Sequence, residues 1–142
     1  YSGTVAAAME AAFLKIPAVA MSLAAEEIMD YEKAAQHCLQ ILEKLMPLSP
    51  GQVINVNIPL LSQGPPKGIK VVPQSTEGFH EYYIPQKNEQ GQIVYQLAGG
   101  PHRQEHNPTD TTSLAEGFIT ITAFAPGMTD HKNTRKLRKI KW

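Results

Sequence analysis

Apolar and polar residues alternate along the first half of the chain with two different periods. A helical period covers residues 2–14 and 31–46, whereas residues 16–23 and 53–58 have the pattern of strands. The run at 16–23 is almost wholly apolar, which is typical of a strand buried on both faces of a parallel sheet. This helix–strand–helix–strand order predicts an α/β fold with some parallel pairing.

The two predicted helices differ in polarity. The first is rich in alanine and carries Glu10 as its one charge before Lys15, so we expect it to pack closely on a sheet and on more than one side. The second is capped by Asp30 and should cover the sheet from outside. Its predicted inner face comprises Tyr31, Ala34, Ala35, Cys38, Leu42, Leu45 and Met46.

The strand predicted over residues 53–58 alternates apolar and amide side chains. Asn55 and Asn57 share one face, and the other face is built from isoleucine and valine. Two asparagines on one face can bind a ligand, but hydrogen bonds to neighbouring loop backbone are their commoner role. Both interpretations stay open at this point.

The second half of the chain opens with the breaker cluster Gly-Pro-Pro at residues 64–66 and then predicts β-structure. A short strand is expected over residues 69–72, and a long β-hairpin over residues 79–98 with its turn at 88–91. The hairpin is apolar or aromatic on both faces, which an isolated pair of strands cannot bury. We therefore expect it either to fold onto the body or to pair with another subunit, and we favour an oligomer contact because the preceding linker lets the arm project.

The remaining residues predict a helix, a strand and a basic tail. Thr109 and Asp110 cap a short helix over residues 111–116, which Gly117 ends, and a β-branched strand follows over residues 118–124. The predicted segments are an α/β core (1–60), a hairpin arm (61–108), a closing helix and strand (109–125) and a basic tail (126–142).

The start of the first helix is the candidate binding site. A helix start has unpaired backbone N–H groups and a partial positive charge, and here it carries the hydroxyls of Ser2 and Thr4 around Gly3. These three residues form a candidate phosphate cradle. Capping without a ligand is the commoner role of such residues. The segment lacks the spacing and the Lys-Ser/Thr ending of a P-loop, which excludes that class.

Composition narrows the class of protein. The chain has 142 residues, of which 42% are hydrophobic and 18% charged, enough for one globular domain. Its formal net charge of zero gives no global argument for nucleic acid or an acidic membrane, and neither partner is expected. Cys38 is the single cysteine, and we expect it to be a buried hydrophobe in a reducing compartment, the cytoplasm. No apolar run reaches transmembrane length, and no signal peptide is visible.

Two sequence patterns resemble metal-binding sites, but the residues around them do not support metal binding. Residues 102–106, His-Arg-Gln-Glu-His, match the H-x-x-E-H pattern of inverted zinc peptidases, but the flanking Gly and Pro residues leave no room for the required helix. We interpret the match as chance. Glu26 and Glu27 fall in a predicted solvated loop, which makes them a weak magnesium site. The residues alone therefore predict one anion cradle and no metal site.

The basic tail carries six lysine and arginine residues after Asp130, without interleaved aromatics until Trp142. A solvated tail is the simpler interpretation, and contact with RNA or an acidic partner is the alternative.

Five stretches of the chain form an ordered set of motifs. The opening, Tyr-Ser-Gly-Thr-Val-Ala-Ala-Ala-Met-Glu at residues 1–10, is the most specific, and residues 16–23, 53–59, 68–72 and 109–122 follow it. In this order the motifs resemble the SurE family of 5′/3′-nucleotidases over nearly the whole chain. Tyr1 stands in place of a methionine directly before a helix start, so we expect an N-terminal part of the natural protein to precede it.

The resemblance implies a partial Rossmann-like, three-layer body with an extended β-hairpin arm. It implies homodimers or homotetramers built through that arm and an exchanged C-terminal segment. It also implies a divalent metal, magnesium or manganese, and hydrolysis of nucleoside 5′/3′-monophosphates, with polyphosphate as a possible further substrate. The family's metal ligands, two aspartates, a serine and an asparagine, all precede the Tyr-Ser-Gly-Thr-Val motif. Of the residues present, Ser2, Gly3 and Thr4 are carried over as phosphate-binding residues, and no catalytic residue is assigned.

Three hypotheses follow. The first is the C-terminal portion of a SurE-like nucleotidase, inactive as a segment on its own. The second, from the aromatic hairpin and the absence of the acidic pair from these residues, is a non-catalytic oligomerisation or binding module. RNA binding through the tail is a third and weaker one.

Overall fold

The structure is a computed structural model that describes residues 2–77, 81–99 and 107–142. Along the chain the elements are α1 (Gly3–Phe13), β1 (Ala18–Leu23), α2 (Tyr31–Leu45), β2 (Val53–Ile58), β3 (Ile69–Val71), β4 (Glu81–Lys87), β5 (Ile93–Gly99), α3 (Asp110–Ala115), β6 (Ile119–Phe124) and α4 (His131–Leu137). Each predicted helix and strand is therefore present, with ends that shift by one or two residues. No helix among the described residues is both long and apolar enough to cross a membrane.

The core is a mixed, mostly parallel sheet in the order β1-β2-β6-β3. β1 pairs with β2 and β3 pairs with β6 in parallel, and β2 pairs with β6 in antiparallel. The predicted α/β class and its parallel pairing are confirmed. β3 lies within the 61–108 segment yet belongs to the core sheet, and the division into segments stays a prediction.

The period of two in β2 separates two apolar clusters, one on each face of the sheet. On one face, Ile54, Val56 and Ile58 pack with Ala34 and Ile41 of α2. On the other, Val53 packs with Ala20 and with Ala8 and Ala12 of α1. Alanine has no bulk beyond Cβ, so α1 lies close to the sheet as predicted. A helix on each face gives three layers.

Burial differs from the prediction in β1, α1 and α2. β1 is only half-buried, with Ala20 as its one fully buried residue, because it is the edge strand of the described sheet. Against the described residues, α1 packs through the side that carries Ala8 and Ala12, and Phe13 is 52% exposed. In α2 the buried positions are Ala34 and Ile41, whereas Tyr31 of the predicted inner face is 69% exposed.

Cys38 packs against the core from α2 and is half-buried rather than fully buried. Burial raises the pKa of its thiol, so the thiol stays protonated at neutral pH.

The hairpin arm is a separate two-stranded sheet of β4 and β5. Tyr83 lies opposite Leu97, and Pro85 lies opposite Tyr95, so these four side chains share one face. Tyr83 is 67% and Tyr95 66% exposed. The predicted hairpin is confirmed over its described residues, and its apolar surface is open in the single chain.

The basic tail contains a helix, α4, at His131–Leu137, which the sequence did not predict. Asp130 caps it, since its Oδ1 accepts from the backbone N of Asn133 at 2.9 Å. No residue of α4 is buried. The sequence analysis missed this helix because its short, charged sequence has almost no apolar period.

Candidate functional site

The face of the sheet that packs against α1 changes from apolar to polar along the strands. Ala18 pairs with Val53 at the amino ends of β1 and β2, whereas Ser22 pairs with Asn57 near their carboxyl ends. Asn57 in turn lies opposite Thr120 of β6. In α/β proteins, ligands bind beside the carboxyl ends of the parallel strands, so this row lies at the expected edge.

α1 begins at the same edge. Ser2 caps the helix, since its Oγ accepts from the backbone N of Val5 at 3.3 Å. The prediction that Ser2 is a helix cap is therefore confirmed. α1 leads into β1 through a short connection and packs back along it, which puts the helix start beside the carboxyl end of β1.

A cavity of about 350 Å³ joins the helix start to the polar row. This volume is within the range of small-molecule sites. Its polar lining comes from β1, β2, the segment after β3 and the start of α3. The lining residues are Ser2, Val5, Ser22, Asn55, Asn57, Gln74, Ser75, Glu77, Asp110, Thr111, Leu114 and Phe124.

Among the residues that the structure describes, neither asparagine of β2 bonds to loop backbone, in contrast to the commoner role expected from the sequence. Asn57 Nδ2 donates to Oγ1 of Thr120 at 3.3 Å. Asn55 is 5% exposed, and its Oδ1 accepts no hydrogen bond from any residue that the structure describes. A buried amide oxygen without a donor costs about 1–3 kcal/mol. The polar surface of the cavity is thus incomplete within the described chain.

Ser113 Oγ in α3 is also buried without a partner among the described residues. Asn55 differs from Ser113 because Asn55 lines the cavity. Only the orphaned group of Asn55 therefore indicates a ligand.

Gly3 and Thr4 stand in the first turn of α1, both exposed. A Cβ added to Gly3 would meet no described atom within 4 Å, so the fold itself does not require glycine there. Of the three predicted phosphate-binding residues, Ser2 lines the cavity, and the other two follow it at the open helix end. Tyr1, which opens the same motif, lies outside the described residues.

The other candidates from the sequence give no second site. Residues 102–106, with the H-x-x-E-H match, lie outside the described residues. Glu27 is exposed as predicted, but Glu26 is half-buried, and its Oε1 accepts from the backbone N of Leu61 at 3.2 Å. Within residues 2–77, 81–99 and 107–142, no group of three or more His, Cys, Asp or Glu side chains could hold a metal ion. These residues therefore do not by themselves fit the implied metal.

A second cavity, of about 410 Å³, is larger than the first but less suited to a polar ligand. It shares Thr111 and Leu114 with the first cavity, and the rest of its lining is mainly apolar. Its lining includes no charged side chain. The polar and charged side chains of its lining, rather than its volume, therefore make the cavity beside Ser2 the candidate site.

Sequence reasoning missed three parts of this site. Ser22 belongs to a predicted apolar run, Asp110 is predicted as a helix cap alone, and residues 74–77 are predicted as part of the hairpin arm without an element of their own. A polar residue at the carboxyl end of a parallel strand was the available signal for Ser22. Nothing in the local sequence brings residues 74–77 to the cavity.

The fold and the cavity define a class: an α/β protein with a cavity, lined in part by polar side chains, at the carboxyl ends of two parallel strands and beside a helix start. The family model of survival protein SurE matches residues 1–81. This chain belongs to the SurE family.

Relatives and a solved structure agree. The chain is 32% identical to the 5′-nucleotidase SurE of Microcystis aeruginosa, an alignment that covers 100% of this chain and 57% of that protein. It is 36% identical to the 5′-nucleotidase SurE of Desulfitobacterium hafniense, over 98% of this chain and 55% of that protein. The crystal structure of SurE from Aquifex aeolicus superposes with a TM-score of 0.79 at 30% identity, covering 97% of this chain and 57% of that one. The chain thus spans a little over half the length of these relatives.

Proposed function

We propose that this chain is the C-terminal portion of a SurE-like, metal-dependent phosphatase that hydrolyses nucleoside 5′/3′-monophosphates. The observation that carries the proposal is the shared cavity, in which Ser2 at the start of α1 and Asn55 both belong to the lining, and the buried Oδ1 of Asn55 has no donor among the described residues. The substrate class is taken from relatives named 5′-nucleotidase SurE.

The phosphate would bind at Ser2, Gly3 and Thr4. The unpaired N–H groups of the first helical turn point out of the helix start, where the partial positive charge favours an anion. The same groups would stabilise negative charge on the phosphoryl group as it is transferred. The open space beside Gly3 supports a close approach of phosphate to the backbone.

The metal, magnesium or manganese, would be held by residues N-terminal to Ser2. When bound, it supplies an activated water and neutralises phosphate oxygens. The residues of this chain would position the phosphate and the remainder of the substrate, and none of them is assigned a metal-ligating or catalytic role.

The decisive experiment compares the complete reading frame with the 142-residue chain in hydrolysis of a nucleoside monophosphate with added manganese. The complete protein should be active and the 142-residue chain inactive. Activity of the 142 residues alone would show that the metal ligands are wrongly placed. An inactive complete protein would favour the binding-module alternative.

A matched pair at Ser2 tests the phosphate cradle. Ser2→Asp keeps an oxygen that can cap α1 and suits the helix dipole, but its negative charge repels phosphate. We expect unchanged thermal stability and a fall in kcat/KM of at least tenfold. Ser2→Thr keeps a neutral hydroxyl and should stay within about threefold of the wild type. Equal kinetics for the two variants would place the phosphate elsewhere.

The hairpin arm supports a second role within the same protein. We propose that the face made by Tyr83, Pro85, Tyr95 and Leu97 forms the contact of a homodimer or homotetramer, because its aromatic surface is exposed in the single chain. Replacing Tyr83 and Tyr95 by serine should reduce the mass measured by light scattering. An unchanged mass would exclude this face as the contact.

A further inference from the structure

One wall of the cavity is the segment of residues 72–77 that follows β3. Gln74, Ser75 and Glu77 all line the cavity. The segment is fastened to β6 at its first residue: Val72 N donates to the backbone O of Ile121 at 3.0 Å, and Thr122 Oγ1 donates to the backbone O of Val72 at 2.9 Å. These bonds fix the beginning of the segment but not the residues that line the cavity.

Asp110 holds the lining residues themselves. Its Oδ1 accepts from the backbone N of Ser75 at 2.7 Å and from the backbone N of Thr111 at 2.8 Å. Its own backbone N donates to the backbone O of Pro73 at 3.0 Å. The two bonds to the segment, at Pro73 and Ser75, lie on either side of Gln74. Asp110 is 8% exposed and also lines the cavity.

We propose that Asp110 is a positioning residue that fixes Gln74 and Ser75 against the nucleoside part of the substrate. The inference rests on the proposed function. Two acidic side chains, Asp110 and Glu77, line this wall, and negative charge disfavours phosphate there. The phosphate therefore lies at the Ser2 end, and the uncharged nucleoside faces the 72–77 wall.

Asp110 holds the segment by accepting hydrogen bonds at one oxygen, Oδ1, rather than by its negative charge. Both backbone donors bond to Oδ1, and an asparagine carbonyl can accept the same two hydrogen bonds. Without that acceptor, the wall must be ordered when the ligand binds, and the ordering cost weakens binding. Loss of the acceptor should thus raise KM for a ligand that touches the wall and leave kcat almost unchanged.

The test uses the complete protein with a nucleoside 5′-monophosphate and with p-nitrophenyl phosphate, which has no nucleoside. Asp110→Ala should raise KM for the nucleotide about tenfold, keep kcat within about twofold, and change KM for p-nitrophenyl phosphate by less than about threefold. Asp110→Asn should restore the nucleotide KM. Asp30→Ala removes a similar cap from α2, on the opposite face of the sheet, and should change neither KM.

A second pair keeps the test valid if Asp110→Ala fails to fold. Ser75→Pro removes the N–H donor to Asp110, whereas Ser75→Ala keeps it and removes only the hydroxyl. We expect the rise in KM with proline and not with alanine. Amide hydrogen exchange at Ser75, which needs no activity, should speed up in Asp110→Ala and not in Asp110→Asn. Exchange at Glu77 does not separate the variants, because its N–H donates to the Ser75 hydroxyl at 3.2 Å, which Ser75→Ala removes as well.

Three outcomes would overturn the proposal: Asp110→Asn as impaired as Asp110→Ala, an equal rise in KM for both substrates, or unchanged amide exchange. A wild-type protein inactive on both substrates would instead overturn the proposed function. Amide exchange would then still decide whether Asp110 holds the segment.

Discussion

Asn57 of β2 and Thr120 of β6 face each other across an antiparallel strand pair, and Asn57 Nδ2 donates to Thr120 Oγ1 at 3.3 Å. Thr120 is fully buried. Thr120→Val keeps the shape of the side chain but leaves the amide of Asn57 without this acceptor. We expect a loss of about 1 kcal/mol in the free energy of unfolding, measured with urea. Thr129→Val, at an exposed position, should be neutral. Equal stability of the Thr120 variant and wild type would mean that the bond contributes nothing.

Replacing Asn55 by leucine should have opposite effects on the stability of the protein and on its affinity for the nucleotide. Its Oδ1 is buried without a partner among the described residues, so Asn55→Leu removes a buried oxygen that no described residue satisfies. The variant should be as stable as the wild type or up to about 2 kcal/mol more stable, and its nucleotide KM should rise. Urea unfolding and steady-state kinetics measure the two effects. A loss of more than about 1 kcal/mol would show that the amide is satisfied in the folded protein.

A side chain at position 3 should not destabilise the fold, but it should hinder binding of the phosphate. A Cβ at this position meets no described atom within 4 Å, and alanine is a better helix former than glycine by up to about 1 kcal/mol. Gly3→Ala should therefore keep or raise the thermal midpoint while lowering kcat/KM. Ala7→Gly, at an exposed position one turn further along the same helix, gives the reverse control: lower stability with unchanged kinetics. The idea fails if Gly3→Ala leaves kcat/KM unchanged.

Glu116 should give the protein a pH-dependent increment of stability. The hydrogen bond from Lys70 Nζ, at 2.6 Å, and the charge of that lysine lower the pKa of the Glu116 carboxyl. A lowered pKa in the folded state stabilises the protein above the ordinary glutamate value and is lost as the pH falls through the lowered value. Glu116→Gln should be less stable than wild type at pH 7, and the difference should shrink as the pH falls below the ordinary glutamate pKa.

Lys70→Met provides the matched partner for Glu116→Gln, although it also removes the contact of Lys70 Nζ with the Phe118 ring at 4.0 Å from the centroid. Its stability difference from wild type should shrink on acidification in the same way. A difference that stays constant with pH would assign the contribution of Lys70 to that ring contact.

The elements of the fold were predictable because their causes are local. The period of two in residues 53–58, the cap at Asp30 and the turn before Ile93 each specify an element without reference to distant residues. The prediction failed where burial depends on neighbours. β1 has the sequence of a central strand but is an edge strand of the described sheet, and Phe13 follows the helical period yet lies exposed.

Some residues of the candidate site were likewise predictable from local sequence, and others were not. The opening at Ser2 was found from its sequence, since hydroxyl residues before an apolar helix are a local signal. Asp110 was recognised only as part of a cap, because its bond to Ser75 joins residues 35 positions apart. The orphaned oxygen of Asn55 could not be predicted at all, since hydrogen bonding depends on every group around it.

The sequence by itself determined the α/β class, the order of elements as far as β6 and the helix start that carries Ser2, because hydrophobic period and capping are properties of neighbouring residues. Only the tertiary structure decided that the helix start, the amides of β2 and the segment after β3 border one cavity. That arrangement depends on the pairing of β2 with β6 and on the hydrogen bond between Asp110 and Ser75. Both contacts join residues that are far apart in the sequence, so no local sequence pattern predicts them.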